Sequence, residues 1–121
     1  MSLILIVDDS AYSRKKARLA LKNEGYELIE AKNGRDGLDK LGEHKPDCIL
    51  LDLLMPDMDG FEMLEDLQSQ SSSIPVLVVS ADIQETTMNR VFDLGARDML
   101  NKAYKDDDLR DKVKELLKSE E

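Results

Sequence analysis

Apolar residues in this chain gather into short runs separated by longer stretches of mixed character. Leu3–Val7 (LILIV), Tyr26–Ala31, Cys48–Leu51 (CILL) and Val76–Ser80 (VLVVS) are the clear runs, and Asp98–Asn101 is a weaker fifth. Runs of this length and composition predict strands covered on both faces. The stretches between them carry helical spacing. Ser13, Ala17, Ala20, Leu21 and Glu24 share a face of a first helix, with Gly25 placed as its stop. Asn33 is a candidate cap for a second helix holding Leu38 and Leu41. Phe61, Leu64 and Leu67 mark a third, and Thr87, Val91 and Leu94 a fourth that ends at Gly95. Leu109, Val113, Leu116 and Leu117 give a fifth an inward stripe, and Asp106, Asp107 and Asp108 suit its positive start. Strand and helix alternate five times with short connections. This predicts an α/β fold, a doubly wound parallel sheet with helices on both faces and right-handed crossovers. The pattern fills residues 1–121 as one domain, without repeats, a linker or room for a second domain.

In an open parallel sheet, ligands bind beyond the C-terminal ends of the strands. Those ends carry a consistent chemistry here. Asp8 and Asp9 follow the first strand, and Asp52 ends the third inside the stretch CILLDLLMPDMDG. Ser80, Ala81 and Asp82 end the fourth, and Lys102 follows the fifth. Any one of these is unremarkable, since a turn acid, a strand-end hydroxyl or a surface lysine is common. Together, Asp8, Asp9, Asp52, Ser80 and Lys102 place three carboxylates, a hydroxyl and an ammonium on one sheet edge. Three close carboxylates repel and drive one another's pKa upward, and a divalent cation relieves this. Oxygen-only ligands suit Mg²⁺. An ionised Asp52 can then act as a nucleophile toward phosphorus, with the cation and Lys102 neutralising the transferred oxygens and Ser80 bonding one of them.

Composition narrows the function further. Of 121 residues, 41% are apolar and 36% charged, so a soluble domain with a real core is expected. The net charge of −9 argues against a direct nucleic-acid partner, because phosphate binding rests on clustered Lys and Arg. No apolar run approaches the roughly 20 residues of a membrane span, and no secretion signal is evident. The single cysteine, Cys48, excludes an internal disulfide and fits a reducing, cytoplasmic setting. The basic spot of Arg14, Lys15, Lys16 and Arg18 reads as a solvated face of the first helix. MPDMDGFEMLED is not a calcium loop: aligning Gly60 with the loop glycine puts Met55 at the first ligand position and Asp66 in place of the bidentate Glu. His44 reads as a surface residue.

The segments ILIVDDS, LLDLLMPDMDG, VLVVSAD and LNKA, in this order, resemble the receiver domains of two-component response regulators, close in size to the single-domain chemotaxis type. The resemblance spans essentially the whole chain. It implies a flavodoxin-like five-stranded sheet of order 2-1-3-4-5. It implies that Asp52 accepts a phosphoryl group from a histidine kinase or phosphotransfer protein. Asp9, Asp52 and the Leu54 backbone carbonyl would bind Mg²⁺ directly, and Asp8 through water. Ser80 and Lys102 would contact the phosphoryl group. The output would be a changed surface on the fourth helix, fifth strand and fifth helix, read by a downstream protein, with a homodimer through that face left open. The protein would be a switch, catalysing only its own aspartyl phosphorylation and dephosphorylation.

Two positions depart from the family's pattern. Ala103 follows Lys102 where proline with a cis bond is usual, so a trans Lys102–Ala103 bond is expected, the cis form without proline costing about 2.5–4 kcal/mol. Met99 stands where an aromatic residue commonly changes rotamer, and Tyr104 is a candidate to take over part of that role. Leu54, two residues after Asp52, offers no group to orient a hydrolytic water, which predicts slower self-dephosphorylation than in a Leu54→Asn variant. The rival enzyme reading is a small Mg²⁺-dependent aspartyl-nucleophile phosphatase of the haloacid dehalogenase kind. It wants a second Asp where this chain has Leu54, and a cap domain. A flavodoxin-type FMN carrier would need a phosphate-cradling loop where DDSAYSR stands.

Overall fold

A computed structural model describes residues 1–118. Strands β1 (Leu3–Val7), β2 (Glu27–Ala31), β3 (Cys48–Leu51), β4 (Val76–Ser80) and β5 (Asp98–Asn101) alternate with helices α1 (Ala11–Leu21), α2 (Gly34–Glu43), α3 (Gly60–Ser69), α4 (Glu85–Asp93) and α5 (Asp106–Lys118). All strand pairs are parallel, and the sheet order is β2-β1-β3-β4-β5. This is the flavodoxin-like arrangement expected, with helices on both faces.

The period-2 alternation of the central strands splits the core into two layers. Ile4, Ile6, Leu50 and Leu77 pack on one side with Ala17, Ala20 and Leu21 of α1 and with Leu109, Val113 and Leu116 of α5. Leu5, Val7, Ile49, Leu51, Val76 and Val78 pack on the other with Met63, Leu64 and Leu67 of α3 and Val91 of α4. β3 is buried at all four positions, as a central strand with both faces covered must be. Cys48 opens that strand inside the core.

Most element ends match the sequence signals. Asn33 caps α2, its side chain accepting the Asp36 N–H. Asp59 caps α3 in a reciprocal box with Glu62. Asp106, Asp107 and Asp108 form the first turn of α5. Two boundaries differ. α1 ends at Leu21, so Glu24 lies outside it: Asn23 adopts a left-handed φ of 71° after the last helical bond, and Gly25, at 81°, turns the chain into β2. β2 then starts at Glu27, and Tyr26 packs beside the core ahead of it. The Lys102–Ala103 bond is trans, as expected.

Gly60 couples this framework to the sheet edge. It opens α3 and donates its N–H to the Leu53 carbonyl at 2.9 Å. A Cβ there would sit 2.3 Å from the Asp52 carbonyl oxygen and 2.8 Å from the Leu53 Cα. Neither backbone atom can yield without moving the end of β3. Gly42, near the end of α2, has open space around its missing Cβ. Gly60→Ala is therefore expected to destabilise by about 1–3 kcal/mol or more, and Gly42→Ala to stabilise by roughly 0.5–1 kcal/mol. Urea unfolding of both variants against wild type checks the pair; equal effects would contradict the packing described.

Candidate functional site

The C-terminal edge of the sheet brings the acidic residues together. Val7 and Leu51, neighbours on β1 and β3, deliver Asp8 and Asp52 side by side. Asp8 and Asp52 are buried, while Asp9 is exposed. One carboxylate oxygen from each of the three lies within 4.8 Å of the others. Lys102, from the turn after β5, reaches across the sheet end. Its Nζ is 3.1 Å from Asp8 Oδ2 and 3.2 Å from Asp52 Oδ2.

The electrostatics follow from that geometry. Burial, then the neighbouring charge of Asp8, push the Asp52 carboxyl above its ordinary value, against the pull of Lys102. For Lys102, burial disfavours the ammonium, but two carboxylates outweigh it and the net shift is upward. The opposite consequences are consistent: Lys102 faces two anions, whereas Asp52 faces one cation, one anion and a loss of water. Asp8 uses both oxygens, Oδ1 accepting the Ser10 N–H at 2.9 Å and Oδ2 facing Lys102. Asp52 Oδ2 faces Lys102, and exposed Asp9 stands at the rim of the same cluster. A hard cation with oxygen ligands fits this donor set.

Ser80 is buried at the end of β4, and its carbonyl accepts the Lys102 N–H at 2.9 Å. Its hydroxyl is turned toward the β4–α4 loop rather than into the carboxylate cluster, accepting the Asp82 N–H at 3.0 Å. The exposed Asp82 carboxylate in turn accepts from Gln84 N–H at 3.0 Å and Thr87 Oγ1 at 2.7 Å, bonds that lower its pKa. Asp82 thus ties the start of α4, where Gln84 at the N-cap makes no side-chain cap bond. The Leu54 side chain is 74% exposed, so it covers neither Asp52 nor any ordered polar partner beside it. The loop it belongs to is braced from α2: Gly34 N–H bonds the Met58 carbonyl at 2.9 Å and Asn33 Nδ2 bonds Asp57 at 3.4 Å.

Two expectations need correction. Tyr104 packs with α1 and α5, whereas Met99 packs in the layer of α3 and α4. The sheet separates them, so Tyr104 does not fill the place that Met99 leaves. Tyr104 is buried, and burial, with Asp106, Asp8 and Tyr12 nearby, raises its hydroxyl to about 12. The basic spot on α1 is only in part a solvated face: Lys15 and Arg18 are exposed, but Arg14 and Lys16 are partly buried against partners. Arg14 pairs with Glu30 at 2.9 Å and donates to the Asp8 carbonyl at 2.7 Å, and Arg18 lies 3.3 Å from Glu30. Lys16 donates to the Lys102 carbonyl at 3.1 Å and stands 4.1 Å from the Tyr104 ring centroid. Only Lys15 of the four reads as a plain exposed charge. Composition hides this, because the partners are a backbone carbonyl, a ring and a glutamate on another strand.

Residues 4–114 match the family model of the response regulator receiver domain, and the chain belongs to that family. Receiver domains are switches of phosphorylation-dependent signalling in two-component systems, rather than enzymes acting on an outside substrate, and they bind Mg²⁺ in their acidic pocket. Protein PilH of Pseudomonas aeruginosa is 37% identical over 111 residues, covering 90% of this chain and 92% of its own. The KDP operon transcriptional regulatory protein KdpE of Escherichia coli is 40% identical over 104 residues, 86% of this chain and 46% of its own. The chain spans about half the length of KdpE and of response regulator MprA of Mycolicibacterium vanbaalenii, where it covers 50%. Among solved structures, the Francisella response regulator 1452 receiver domain superposes with a TM-score of 0.94 at 25% identity, covering all of both chains. The Vibrio cholerae chemotaxis protein CheY4 gives 0.90 at 29% identity, over 97% of this chain and 99% of that one. No described helix is long and apolar enough to cross a membrane.

The raised pKa of Asp52 has a consequence for stability. A carboxyl whose folded value lies above its unfolded one costs stability wherever it is ionised. The cost is full above the raised value, fades as pH falls through it, and is gone below the ordinary value of 3.8. Asp52→Asn is expected to raise the Tm of the metal-free protein at neutral pH by a few degrees. The gain should shrink as pH is lowered toward 4 and when Mg²⁺ is added. Thermal melts across pH, with and without Mg²⁺, check this; a lower Tm for the variant at neutral pH would contradict it.

Proposed function

We propose that Asp52 is the phosphoacceptor of this receiver domain, and the observation that carries the proposal is the Lys102 ammonium held 3.1 Å and 3.2 Å from Asp8 and Asp52 at the sheet edge. A phosphohistidine on a histidine kinase or phosphotransfer protein is the donor. An Asp52 carboxylate oxygen attacks phosphorus, the P–O bond forms as the P–N bond breaks, and the electron pair stays on the imidazole nitrogen. Asp52 becomes an acyl phosphate. Lys102 is already placed to offset the charge on the transferred oxygens. Asp9, Asp52 and the Leu54 carbonyl would hold Mg²⁺, with Asp8 acting through water. Both Asp8 oxygens are occupied by Ser10 and Lys102, which supports its indirect role. When bound, the cation supplies charge neutralisation at the acceptor and the transferred group.

Ser80 links this event to the surface. Its hydroxyl bonds the Asp82 backbone, and Asp82 holds the start of α4. A phosphoryl oxygen on Asp52 would accept the Ser80 O–H, and turning the hydroxyl toward it would loosen the bond from Asp82 N–H and so bias the β4–α4 loop between two arrangements. The readout face is then α4, β5 and α5, about residues 84–118, where Met88 and Phe92 already expose apolar surface, next to Ile83 in the preceding loop. A downstream protein or an output domain would read it.

Intact mass after incubation with acetyl phosphate and Mg²⁺ should show one added phosphoryl. The adduct should be absent in Asp52→Asn and in metal-free samples; an adduct that persists in Asp52→Asn would remove Asp52 from the role. Leu54 brings no polar group to the acceptor. Leu54→Asn is therefore expected to shorten the lifetime of the adduct by roughly threefold or more, within the range of a positioned polar group acting on water. Decay of the adduct mass with time reads it, and an equal or longer lifetime would contradict the role given to Leu54.

A further inference from the structure

The ammonium on which the site depends sits on a turn, residues 102–105, that belongs to neither β5 nor α5. Beneath that turn lies a cavity of about 130 Å³, lined by Ile6, Leu50, Val79, Lys102 and Tyr104 among others. Tyr104 packs into the layer of α1 and α5 and fixes the far end of the turn, while the cavity offers few partner atoms to the near end at Lys102. The backbone of that near end is tied by polar anchors. Lys102 N–H bonds the Ser80 carbonyl at 2.9 Å, and Ala103 N–H bonds Asn101 Oδ1 at 2.9 Å. Both anchors lie in the sheet edge from which the turn springs. A third comes from another layer: Lys16 of α1 donates to the Lys102 carbonyl at 3.1 Å, and its ammonium stands 4.1 Å from the Tyr104 ring centroid. One side chain therefore grips the turn at two points two residues apart, with a charge-assisted bond and a cation–π contact. Ala103, between them, has an exposed side chain and contributes no packing of its own.

We propose that Lys16 is a positioning residue for phosphoryl transfer: it holds the 102–105 turn over the cavity so that the Lys102 ammonium stays against Asp8 and Asp52. The proposal rests on the reading of Asp52 as the acceptor. Lys16 touches neither the acceptor nor the transferred group. It acts through the backbone of the residue that does. A Lys16 that merely covered Tyr104 would be replaceable by any long side chain of similar bulk.

The test compares wild type with Lys16→Met, which keeps the stem over Tyr104 and cannot donate, and Lys16→Arg, which donates and stacks. Adduct formation with acetyl phosphate and Mg²⁺ is followed by intact mass. The Lys102 amide and ε-methylene resonances are followed without phosphodonor. Lys16→Met should form the adduct about five- to tenfold more slowly, a modest part of the loss that misplacing a catalytic group can cause. Its Lys102 resonances should move, while Mg²⁺ affinity by calorimetry stays within about twofold, because no proposed ligand is touched. Lys16→Arg should recover at least about half of the lost rate and return the resonances toward wild type. A wild-type rate in Lys16→Met, or an Arg variant as slow as the Met variant, overturns the proposal. Thermal melts confirm folding, and Lys16→Gln replaces the Met variant under the same criteria if the latter does not fold. Should wild type itself take no phosphoryl, it is the reading of Asp52 that falls. The positioning role is then decided by the Lys102 resonances alone: movement in Lys16→Met with return in Lys16→Arg sustains it, and no movement overturns it.

Discussion

Two carboxylates buried side by side at the end of a parallel sheet are unfavourable, and the Lys102 ammonium is what the structure places between them. Removing one partner from such a buried group leaves an uncompensated charge, so each member constrains the others. The rest of the site answers to this triad. The order β2-β1-β3-β4-β5 puts β1 and β3 together at the centre, which makes Asp8 and Asp52 neighbours. β5 lies two strands from β3, so Lys102 needs its full length to span the edge and needs its backbone held still to do so.

The balance is deliberately incomplete in physical terms: one cation faces two buried anions, and a third acid, Asp9, stands at the rim. The surplus negative charge suits a site that takes a divalent ion and then a phosphoryl group. A fully neutralised cluster would have little to gain from either. Burial first, and then this surplus, push the Asp52 carboxyl up, while the two anions push the ammonium beside it up against its own burial.

Much of this was legible in the residues. Strands buried on both faces leave apolar runs whose ends are sharp, so Asp8, Asp52 and Lys102 could be placed on one edge from Leu3–Val7, Cys48–Leu51 and Asp98–Asn101 alone. Caps such as Asn33 announced themselves because the cap side chain bonds its own neighbourhood in sequence. What stayed hidden was long-range and specific. Arg14 and Arg18 find Glu30 across to β2, and Lys16 finds a carbonyl 86 residues away. Nothing in periodicity marks such partners. The end of α1 was misplaced because Asn23 takes a left-handed turn two residues before Gly25 does. The place of Tyr104 was misjudged because nearness to Lys102 in sequence says nothing about which side of the sheet a ring packs on.

The braces on the β3–α3 loop give the site a handedness. On one flank, Gly34 and Asn33 at the start of α2 tether Met58 and Asp57, and Gly60 locks against the backbone of Asp52 itself. On the other flank, three hydrogen bonds run from buried Ser80 through exposed Asp82 to Gln84 and Thr87. A load applied at Asp52 meets masonry on the first side and a drawstring on the second. Compliance, and with it the direction in which a local event propagates outward, is therefore built into the asymmetry of the walls.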